Sequence, residues 1–508
     1  MPETYDVIVI GAGNAGLSAA VTTAQRGLKT LLLERNAVPG GCATSFRRGR
    51  FEFEPTIHEI AQVGAPENPG SIRKLFDSFG IHIDWHIQPI LYRAIVTCEG
   101  GFDASMPMGI EAFCDEMERQ VPGCRDSICR VFDCAVKAVS FMATLRGSKA
   151  AVERKLQENK EFLRIAGHST DECLDALGVP KRAQQILTVY WPYAGEPTDR
   201  LSFLTFVSIL LTYVTCGAAM PPQRGHELSM ALEEAFLRYG GQVRYHTEVD
   251  EVLVENGSIC SVRAGDQVFR TKHVISNVYP ERLFGYMMAK ETVPPIELQR
   301  INARELSLSF VNLYLGLNRS AEALGIRDYC VFLLPSPDSV EQYERSYTLG
   351  GAGWLVATCP NLPLPDCSPE GTCMLSLMTS VYGDAWAHVA PEDYHRTKAE
   401  VAERIIDYYE QSMGISIRPY IEEIEIATPA TFARVLGTPN GTPYGYRNYG
   451  WDAMLPRFLR REAEQTIRGL RFCGAFGERL DGFNSTYLCG NNAGLLTIRD
   501  IREERYHA

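Results

Sequence analysis

Short apolar runs bounded by glycine-rich or polar turns open the chain. The run over residues 6–10 is continuous and β-branched, which is typical of a parallel strand buried on both faces. A second run over residues 30–33 predicts a neighbouring strand, and the segment between them predicts a helix that begins near Ala15. The chain therefore begins with a predicted β–α–β unit, which indicates the α/β class.

The middle of the chain changes to helical periodicity. From residue 109 to about 178, apolar residues recur at i, i+3 and i+4 with charges opposite them, which predicts amphipathic helices. Residues 190–195 are aromatic and fit either the wall of an apolar tunnel or ordinary core. Residues 201–223 carry no charge and are long enough to cross a bilayer, but Ser, Thr, Tyr and Gly dilute their hydrophobicity. We therefore predict a buried helix that lines an apolar cavity or one that lies at a membrane surface.

Strand patterns return in the second half of the chain. Strands are predicted over residues 242–249, 251–255, 258–264 and 271–277, with a hairpin turn at Asn256 and Gly257. Val249 is expected at the end of a parallel strand, where an adenine could rest. Further strands are predicted over 306–317, 353–359, 373–380 and 421–427, with a helix over 394–413 and a loop over 437–449.

The length of 508 residues predicts two domains, because single cores stop growing near ~250–300 residues. We expect them to be interleaved along the chain. Residues 1–105, 221–290 and 455–508 are predicted to form a nucleotide-binding domain. Residues 106–220 and 291–454 are predicted to form a substrate-binding domain with a helical insertion.

Charge and cysteine content exclude some classes of function. A net charge of −12 without a long basic run argues against a nucleic-acid partner, which needs a positive face. None of the fifteen cysteines forms a C-x-x-C pair, and no zinc-like spacing occurs, so no metal site is predicted. The first residues show no signal-peptide pattern, so reduced thiols and a cytoplasmic location are expected, with peripheral membrane contact left open.

Candidate chemistry begins at the turn after the first strand. The order G-x-G-x-x-G is formed by Gly11, Ala12, Gly13, Asn14, Ala15 and Gly16. The three glycines allow a tight turn, a close approach to a pyrophosphate and close packing of helix on strand. Glu34, followed by Arg35, ends the second strand at the spacing where an acid binds a ribose hydroxyl. These features predict a dinucleotide site; the alternative is an ordinary β–α–β unit with a surface acid.

A second glycine-rich turn favours FAD over a nicotinamide cofactor, because its N–H groups could hold the FAD phosphates and ribityl chain. The turn consists of Gly40, Gly41, Cys42, Ala43 and Thr44. The following segment, with Thr56, Ile57 and His58, is predicted to pass near the flavin. His58 either faces the flavin or substrate or satisfies local backbone groups.

The carboxyl end of the chain supplies a third glycine-rich turn before an apolar helix. A helix that starts at Asn484, Ser485 and Thr486 could stabilise negative charge on a reduced flavin. The turn itself contains Gly474, Gly477, Glu478, Asp481 and Gly482, and Glu478 or Asp481 could bond a ribityl hydroxyl. A purely structural β–α unit is the alternative.

With these pieces in order, the chain resembles the phytoene desaturase, carotenoid isomerase and retinol saturase group of FAD oxidoreductases. The resemblance rests on the glycine turn, Glu34 with Gly40 and Gly41, and the segments 53–58, 222–232, 249, 274–277 (ending in Asn277), 428–431 and 474–486. It implies a Rossmann-type FAD-binding domain of glutathione-reductase-like, amine-oxidase-like topology with an interleaved α+β substrate domain. The chain departs from the family pattern at residues 54–56, 224–226 and 481–484, where flavin and substrate meet in the family.

The resemblance implies an FAD-dependent oxidoreductase that acts on carbon–carbon bonds of an apolar, polyene or isoprenoid substrate. Desaturation, saturation and cis–trans isomerisation all remain open. His58, His226 and Tyr444 are the side chains expected to assist. Two alternatives stand beside this one: an FAD-dependent amine or steroid oxidase or reductase, and a non-catalytic prenyl- or lipid-binding protein of the same fold.

Overall fold

The computed structural model describes residues 3–56, 59–145, 149–349, 353–460, 465–477 and 482–507. Its strands, in chain order, are β1 Glu3–Thr4, β2 Val7–Ile10, β3 Thr30–Leu33, β4 Phe46–Arg48, β5 Phe51–Phe53, β6 His86–Gln88, β7 Ile90–Val96, β8 Asp103–Pro107, β9 Ala218–Met220, β10 Gln242–Arg244, β11 Glu251–Glu255, β12 Ser258–Ala264, β13 Gln267–Arg270, β14 Val274–Ser276, β15 Ser309–Leu317, β16 Cys330–Leu334, β17 Leu355–Thr358, β18 Cys373–Val381, β19 Ile421–Ala427 and β20 Leu470–Phe472.

The α-helices alternate with these strands and concentrate between β8 and β9. They are α1 Asn14–Gln25, α2 Ser71–Ser78, α3 Ile110–Gln120, α4 Arg125–Thr144, α5 Lys149–Glu158, α6 Lys160–Gly167, α7 Thr170–Ala176, α8 Lys181–Leu187, α9 Phe203–Cys216, α10 Arg224–Arg238, α11 Pro280–Tyr286, α12 Pro295–Asn302, α13 Ser339–Arg345, α14 Gly383–Ala387, α15 Tyr394–Met413, α16 Pro429–Leu436, α17 Met454–Arg460 and α18 Phe483–His507.

A five-stranded parallel sheet organises the first layer. Its order is β10-β3-β2-β14-β20, so the first predicted strand lies at its centre and the last strand of the chain at one edge. One face is covered by α1, α2, α10 and α18, and the other by the small sheet β1-β13-β12-β11 with α11. Burial on both faces explains why β2 and β3 are continuously apolar.

A seven-stranded mixed sheet forms the second layer, in the order β19-β15-β18-β17-β16-β7-β8. The long strand β15, which lies between the edge strand β19 and β18, is buried along its whole length. One face packs against the helical segment with α3, α4 and α9, and the other packs against α15. Strands β7 and β8 belong to this sheet, because β7 pairs with β16, whereas the predicted boundary at residue 105 had placed them with the nucleotide-binding part.

Most predicted elements are confirmed, including the hairpin between β11 and β12, the helix 394–413 and the strand 421–427. The predicted strand 242–249 is wrong beyond Arg244, because His246 has a positive φ and its N–H bonds to the carbonyl of Asn36. Val249 therefore does not end a strand.

The uncharged segment 201–223 forms a helix and then a strand. Helix α9 ends at Cys216, because Gly217 has a φ of 75°, and β9 then pairs with β6. Nine of the fourteen α9 residues are buried, which confirms the prediction of a buried helix. Among the described residues no helix combines the length and the apolar character needed to cross a membrane.

Candidate active site

The glycine turn between β2 and α1 is built as the spacing predicts. Gly11 has a φ of 96°, and its N–H bonds to the Leu33 carbonyl at 2.8 Å, which ties the turn to β3. A Cβ on Gly13 would lie 2.8 Å from Asn277 Nδ2, and one on Gly16 would overlap the Gly11 carbonyl. Within the described residues no side chain caps the first turn of α1, so its N–H groups are available to a phosphate.

Glu34 lies beside this turn and is buried. Its carboxylate accepts a hydrogen bond from the Ala12 N–H at 2.7 Å through Oε2 and from the Asn36 N–H at 2.8 Å through Oε1. Each carboxylate oxygen has a second lone pair, so the side chain can still accept from a ribose hydroxyl. Arg35 turns away towards α16, where its Nη2 donates to the Val435 carbonyl at 2.7 Å.

The second glycine turn lies directly against the first. Gly40 pairs with Gly13 in an isolated parallel bridge, and its N–H bonds to the Ala12 carbonyl at 2.8 Å. Its φ of 116° is a conformation that glycine favours. Ser229 of α10 donates to the Ala43 carbonyl at 2.7 Å and holds the turn from behind. The two turns therefore form one continuous surface of backbone groups.

The carboxyl end of the chain closes the same site. Helix α18 packs along α1, and Gly490 makes this possible, because a Cβ there would lie 2.7 Å from the Ala15 carbonyl carbon. The first turn of α18 consequently points its end at the two glycine turns. Gly474, with a φ of 85°, passes next to the Asn277 side chain.

A cavity of about 770 Å³ connects these turns with the second layer of the fold. Its nucleotide end is lined by Gly13, Glu34, Val249 and Asn277. Its other end is formed by side chains of the helical segment, the seven-stranded sheet and the 437–449 loop. This size lies within the range of about 300–1,000 Å³ that is usual for ligand pockets.

Apolar and aromatic side chains dominate the far end of this cavity. Helix α9 turns one face to it, with Thr205, Ser208, Ile209, Thr212 and Tyr213 at helical spacing. The opposite walls consist of Val139 and Met142 of α4, Phe310 and Met378 of the sheet, and the aromatic residues Tyr193 and Tyr444. The prediction that segment 201–223 lines an apolar cavity is confirmed by this arrangement.

One buried carboxyl faces this apolar end, and the sequence did not single it out. Glu59 follows the β4–β5 hairpin and is 5% exposed. Tyr193 donates its hydroxyl proton to Glu59 Oε1 at 2.7 Å. Burial raises the pKa of Glu59 to about 8, because the ionised form loses its hydration, and the hydrogen bonds from Tyr193 and Tyr213 lower it only in part. An isolated acid beside a histidine carries no spacing signal that could have identified it.

Asn448 is a second residue that the pattern missed. It is 2% exposed, it lines the cavity, and neither its amide oxygen nor its amide nitrogen has a hydrogen-bond partner among the described residues. Thr205 and Asn14 each have a buried oxygen on the cavity wall that meets no hydrogen-bond partner within the described part of the chain. Buried polar atoms are normally hydrogen-bonded, so these groups indicate that a ligand completes the site.

Most of the predicted site residues come together. Those that line the cavity are Gly11, Gly13, Asn14, Ala15, Glu34, Arg35, Gly41, Cys42, Thr56, Val249, Asn277, Tyr444, Gly474, Gly482, Asn484, Ser485 and Thr486. Five further predicted residues, Ala12, Gly16, Gly40, Ala43 and Thr44, belong to the two turns but do not line the cavity, and Gly477 lines a separate pocket. Ile57, His58, Glu478 and Asp481 lie outside the described residues.

His226 is not at this cavity. It lies in the first turn of α10 and faces a separate open groove, together with Arg47, Arg50 and Glu227. Arg224, the first residue of α10, has a positive φ of 65° and lines the same groove. Tyr444, by contrast, lines the main cavity and donates its hydroxyl proton to the Pro192 carbonyl at 2.9 Å.

The residues present fit FAD. Two adjoining glycine turns leave no room for side chains, an uncapped helix start faces them, and Glu34 retains acceptor capacity. The unpartnered Asn14 oxygen on the same wall points to a polar ligand group. The cavity continues beyond these groups into a space lined largely by apolar side chains, which suits an apolar ligand and not the polar groups of a dinucleotide.

Comparisons with known proteins agree with this geometry. Residues 6–62 match the model of the family described as FAD dependent oxidoreductase. The chain is 23% identical to an all-trans-retinol 13,14-reductase of Danio rerio over 502 residues, covering 92% of this chain and 81% of that protein. It is 23% identical to a chloroplastic prolycopene isomerase of Daucus carota over 462 residues, covering 87% and 72%.

Among solved structures, the cyclohexylamine oxidase of Brevibacterium oxydans superimposes with a TM-score of 0.62 at 14% identity, covering 98% of this chain and 99% of that one. At this identity the likeness concerns the fold. It confirms the predicted fold class of a Rossmann-type FAD domain joined to a substrate domain. The predicted cofactor, FAD, and the predicted resemblance are likewise confirmed by the family model and the two relatives.

Proposed function

Because the chain is an FAD-dependent oxidoreductase similar to the carotenoid isomerase and retinol saturase group, we propose that it acts on a carbon–carbon double-bond system. The proposed substrate is an extended apolar polyene or isoprenoid that occupies the far end of the cavity. The proposal covers desaturation, saturation and cis–trans isomerisation as one class. The observation that carries it is the wall of apolar and aromatic side chains from α4, the seven-stranded sheet and the 437–449 loop, with Ile209 and Tyr213 of α9, which is continuous with the FAD end.

The residues around the cavity suggest which groups would hold each part of FAD. Backbone N–H groups of the two glycine turns and α1 would hold the FAD phosphates, Glu34 would bond the ribose, and the first turn of α18 would face the flavin. Bound FAD supplies two-electron hydride chemistry. The protein itself would bind and orient the substrate against the flavin and exclude water from the reacting atoms.

The apolar walls support this role. Ile209, Phe310 and Met378 lie on three different elements, α9, β15 and β18, and would exclude water from the space between them when a substrate is bound. A flat conjugated chain fits between aromatic and aliphatic side chains without needing a charged partner. The names of the two relatives describe enzymes of a retinoid and of a carotene, which supports a polyene over an amine.

The test uses the FAD-loaded protein under anaerobic conditions. A photoreduced sample is mixed with a C20 or C40 polyene, and an oxidised sample with an aliphatic primary amine, while the flavin spectrum and the products are followed. We expect reoxidation of the flavin or a change in polyene mass or geometry, and no bleaching by the amine. Flavin reduction by the amine, with polyenes left unchanged, would refute the proposal.

A matched pair of variants locates the reaction. Phe310→Leu changes a ring that lines the cavity, whereas Phe432→Leu changes a buried ring that packs edge-on to Phe310, 6.4 Å between centroids, without lining it. We expect the first variant to lose affinity for the polyene several-fold and the second to leave it near the wild-type value. Equal effects of the two variants would indicate general destabilisation instead of loss of a substrate contact.

A further inference from the structure

The position of Glu59 is fixed by the backbone around it. The next residue, Ile60, forms an antiparallel bridge with Ala219 of β9, with N–H···O distances of 2.9 and 3.0 Å in the two directions. This bridge ties the segment after the β4–β5 hairpin to the end of the α9 segment. The Glu59 carboxyl therefore faces the cavity from a rigid support instead of a free loop.

Among the described residues, hydrogen-bond donors reach only one of the two carboxyl oxygens of Glu59. Oε1 accepts from the Tyr193 hydroxyl at 2.7 Å, and the Tyr213 hydroxyl is a further hydrogen-bonding neighbour of the carboxyl. Oε2 is buried and has no hydrogen-bond partner among the described residues. A buried polar atom left without a partner is costly, so a carboxyl oxygen held open in a ligand cavity indicates that a ligand atom completes it.

The surroundings keep this carboxyl uncharged near neutral pH. The groups that face it are Tyr190, Tyr193, Tyr213, Tyr329 and Cys330, and within the described part of the chain no cation opposes the effect of burial. Because burial raises the pKa of Glu59 to about 8, the neutral acid predominates at pH 7. A neutral carboxyl both donates and accepts a hydrogen bond, which suits a hydroxyl or carbonyl and not an ammonium group.

We propose that Glu59 binds an uncharged oxygen function of the substrate, so that the ligand is an oxygenated polyene or isoprenoid and not a plain hydrocarbon. This inference rests on the proposed function, since it assigns the polar contact within the same apolar cavity. Glu59 and Tyr193 would fix the polar group by hydrogen bonds, and the apolar walls would take up the remaining chain. The contact with Glu59 would then determine which carbon atoms of the substrate lie at each position along the cavity.

The experiment measures equilibrium binding to the FAD-loaded protein at pH 7. Three ligands share one C20 polyene skeleton: the primary alcohol, the hydrocarbon that lacks the oxygen, and the primary amine. For the wild type we expect the alcohol to bind at least about tenfold more tightly than the hydrocarbon, because its hydroxyl forms a hydrogen bond with a buried carboxyl oxygen that the hydrocarbon leaves unsatisfied. Glu59→Leu should bring this ratio close to one, and Glu59→Gln, a neutral donor and acceptor, should keep most of it.

Glu54 offers a matched control. Burial also raises its pKa to about 8, but it faces a separate cavity of about 40 Å³ with Arg224 and Tyr314. Glu54→Gln should therefore leave the alcohol-to-hydrocarbon ratio unchanged. Loss of the ratio in this variant as well as in Glu59→Leu would overturn the assignment to Glu59.

If Glu59→Leu does not fold, the pH dependence of amine binding decides. Raising the pH from 7 to 9 ionises Glu59 and should increase wild-type affinity for the amine about tenfold, whereas Glu59→Gln should show no such increase. Identical pH profiles of the two proteins would overturn the inference.

Two further outcomes separate this inference from the proposed function. Equal binding of alcohol and hydrocarbon by the wild type would overturn the Glu59 subsite while leaving the polyene proposal intact. Failure of both polyenes to bind a protein with a normal flavin spectrum would overturn the proposed function and the subsite together. Preference for the amine at pH 7, lost in Glu59→Gln, would assign an ionic site and overturn the inference.

Discussion

The contact between α1 and α18 gives the sharpest structural prediction. Gly490 of α18 is buried against the backbone of α1, and a Cβ at this position would overlap the Ala15 carbonyl oxygen and lie 2.7 Å from the carbonyl carbon. Ordinary contacts of a Cβ begin near 3.4 Å. Gly490→Ala therefore forces α18 to retreat by more than half an ångström, because the obstacle is backbone and not a movable side chain.

The cost can be set against the gain in helix propensity. Overpacking of a close contact costs about 1–3 kcal/mol, while alanine in place of glycine within a helix returns about 1 kcal/mol. Because the obstacle is backbone, the cost should lie at the upper end of this range, and we expect a net loss of about 2 kcal/mol in the free energy of unfolding. We also expect weaker FAD binding, because the start of the same helix, at Asn484, Ser485 and Thr486, lines the cavity.

The measurements are the FAD dissociation constant and chemical denaturation of the FAD-loaded protein. Gly285→Ala is the matched control, since Gly285 lies in α11 and an added Cβ there meets no atom within 4 Å among the described residues. This control should be neutral or slightly stabilising. Wild-type FAD affinity and stability in Gly490→Ala would refute the claim that this glycine sets the distance between the two helices.

Two further predictions concern buried charge. The fully buried Glu196 forms a two-point ion pair with Arg447, with N···O distances of 2.7 and 2.9 Å. Arg447→Met should lower the free energy of unfolding by about 3–5 kcal/mol, because it leaves a buried carboxylate unpaired, and adding Glu196→Gln should recover part of the loss. An effect of the single variant below about 1 kcal/mol would contradict this. Burial raises the pKa of Glu59 from 4.5 to about 8, so the folded state keeps a proton that the unfolded chain releases between these values. Wild-type stability should therefore fall relative to Glu59→Gln as the pH rises from about 4.5 through 8, by on the order of 5 kcal/mol in total. Parallel stability curves from pH 5 to 9 would show that this carboxyl ionises in the folded protein as it does in water.

Local sequence patterns predicted the nucleotide end of the molecule well. Gly11, Gly13 and Gly16 follow a continuous apolar strand. A Cβ on Gly16 would overlap the Gly11 carbonyl, and the Gly11 N–H bonds to Leu33 of the neighbouring strand β3. The same holds for Glu34, which follows directly on β3. The turn and the start of α1 recur as one local unit wherever a dinucleotide is bound, so the spacing of these residues identifies them even though Asn277, far along the chain, packs against Gly13.

The substrate end was less predictable, because its residues meet only through long-range packing. Glu59 and Tyr193 are far apart in sequence and are joined across two layers of the fold. Strand β9 is the three residues Ala218–Met220, whose composition does not favour a strand, and it exists because β6 and Ile60 offer it partners. His226 was expected at the site, but the start of α10 faces another groove.

By itself, the sequence determined the α/β class, the glycine turns and the dinucleotide fingerprint, since strand burial, positive φ and helix starts each depend on neighbouring residues. Tertiary structure alone decided which carboxyl faces the apolar cavity, where α18 docks, and which predicted residues share a wall. These features arise from contacts between segments more than a hundred residues apart. Hydrophobic periodicity indicates which face of a segment is buried, but it does not indicate which segment packs against that face.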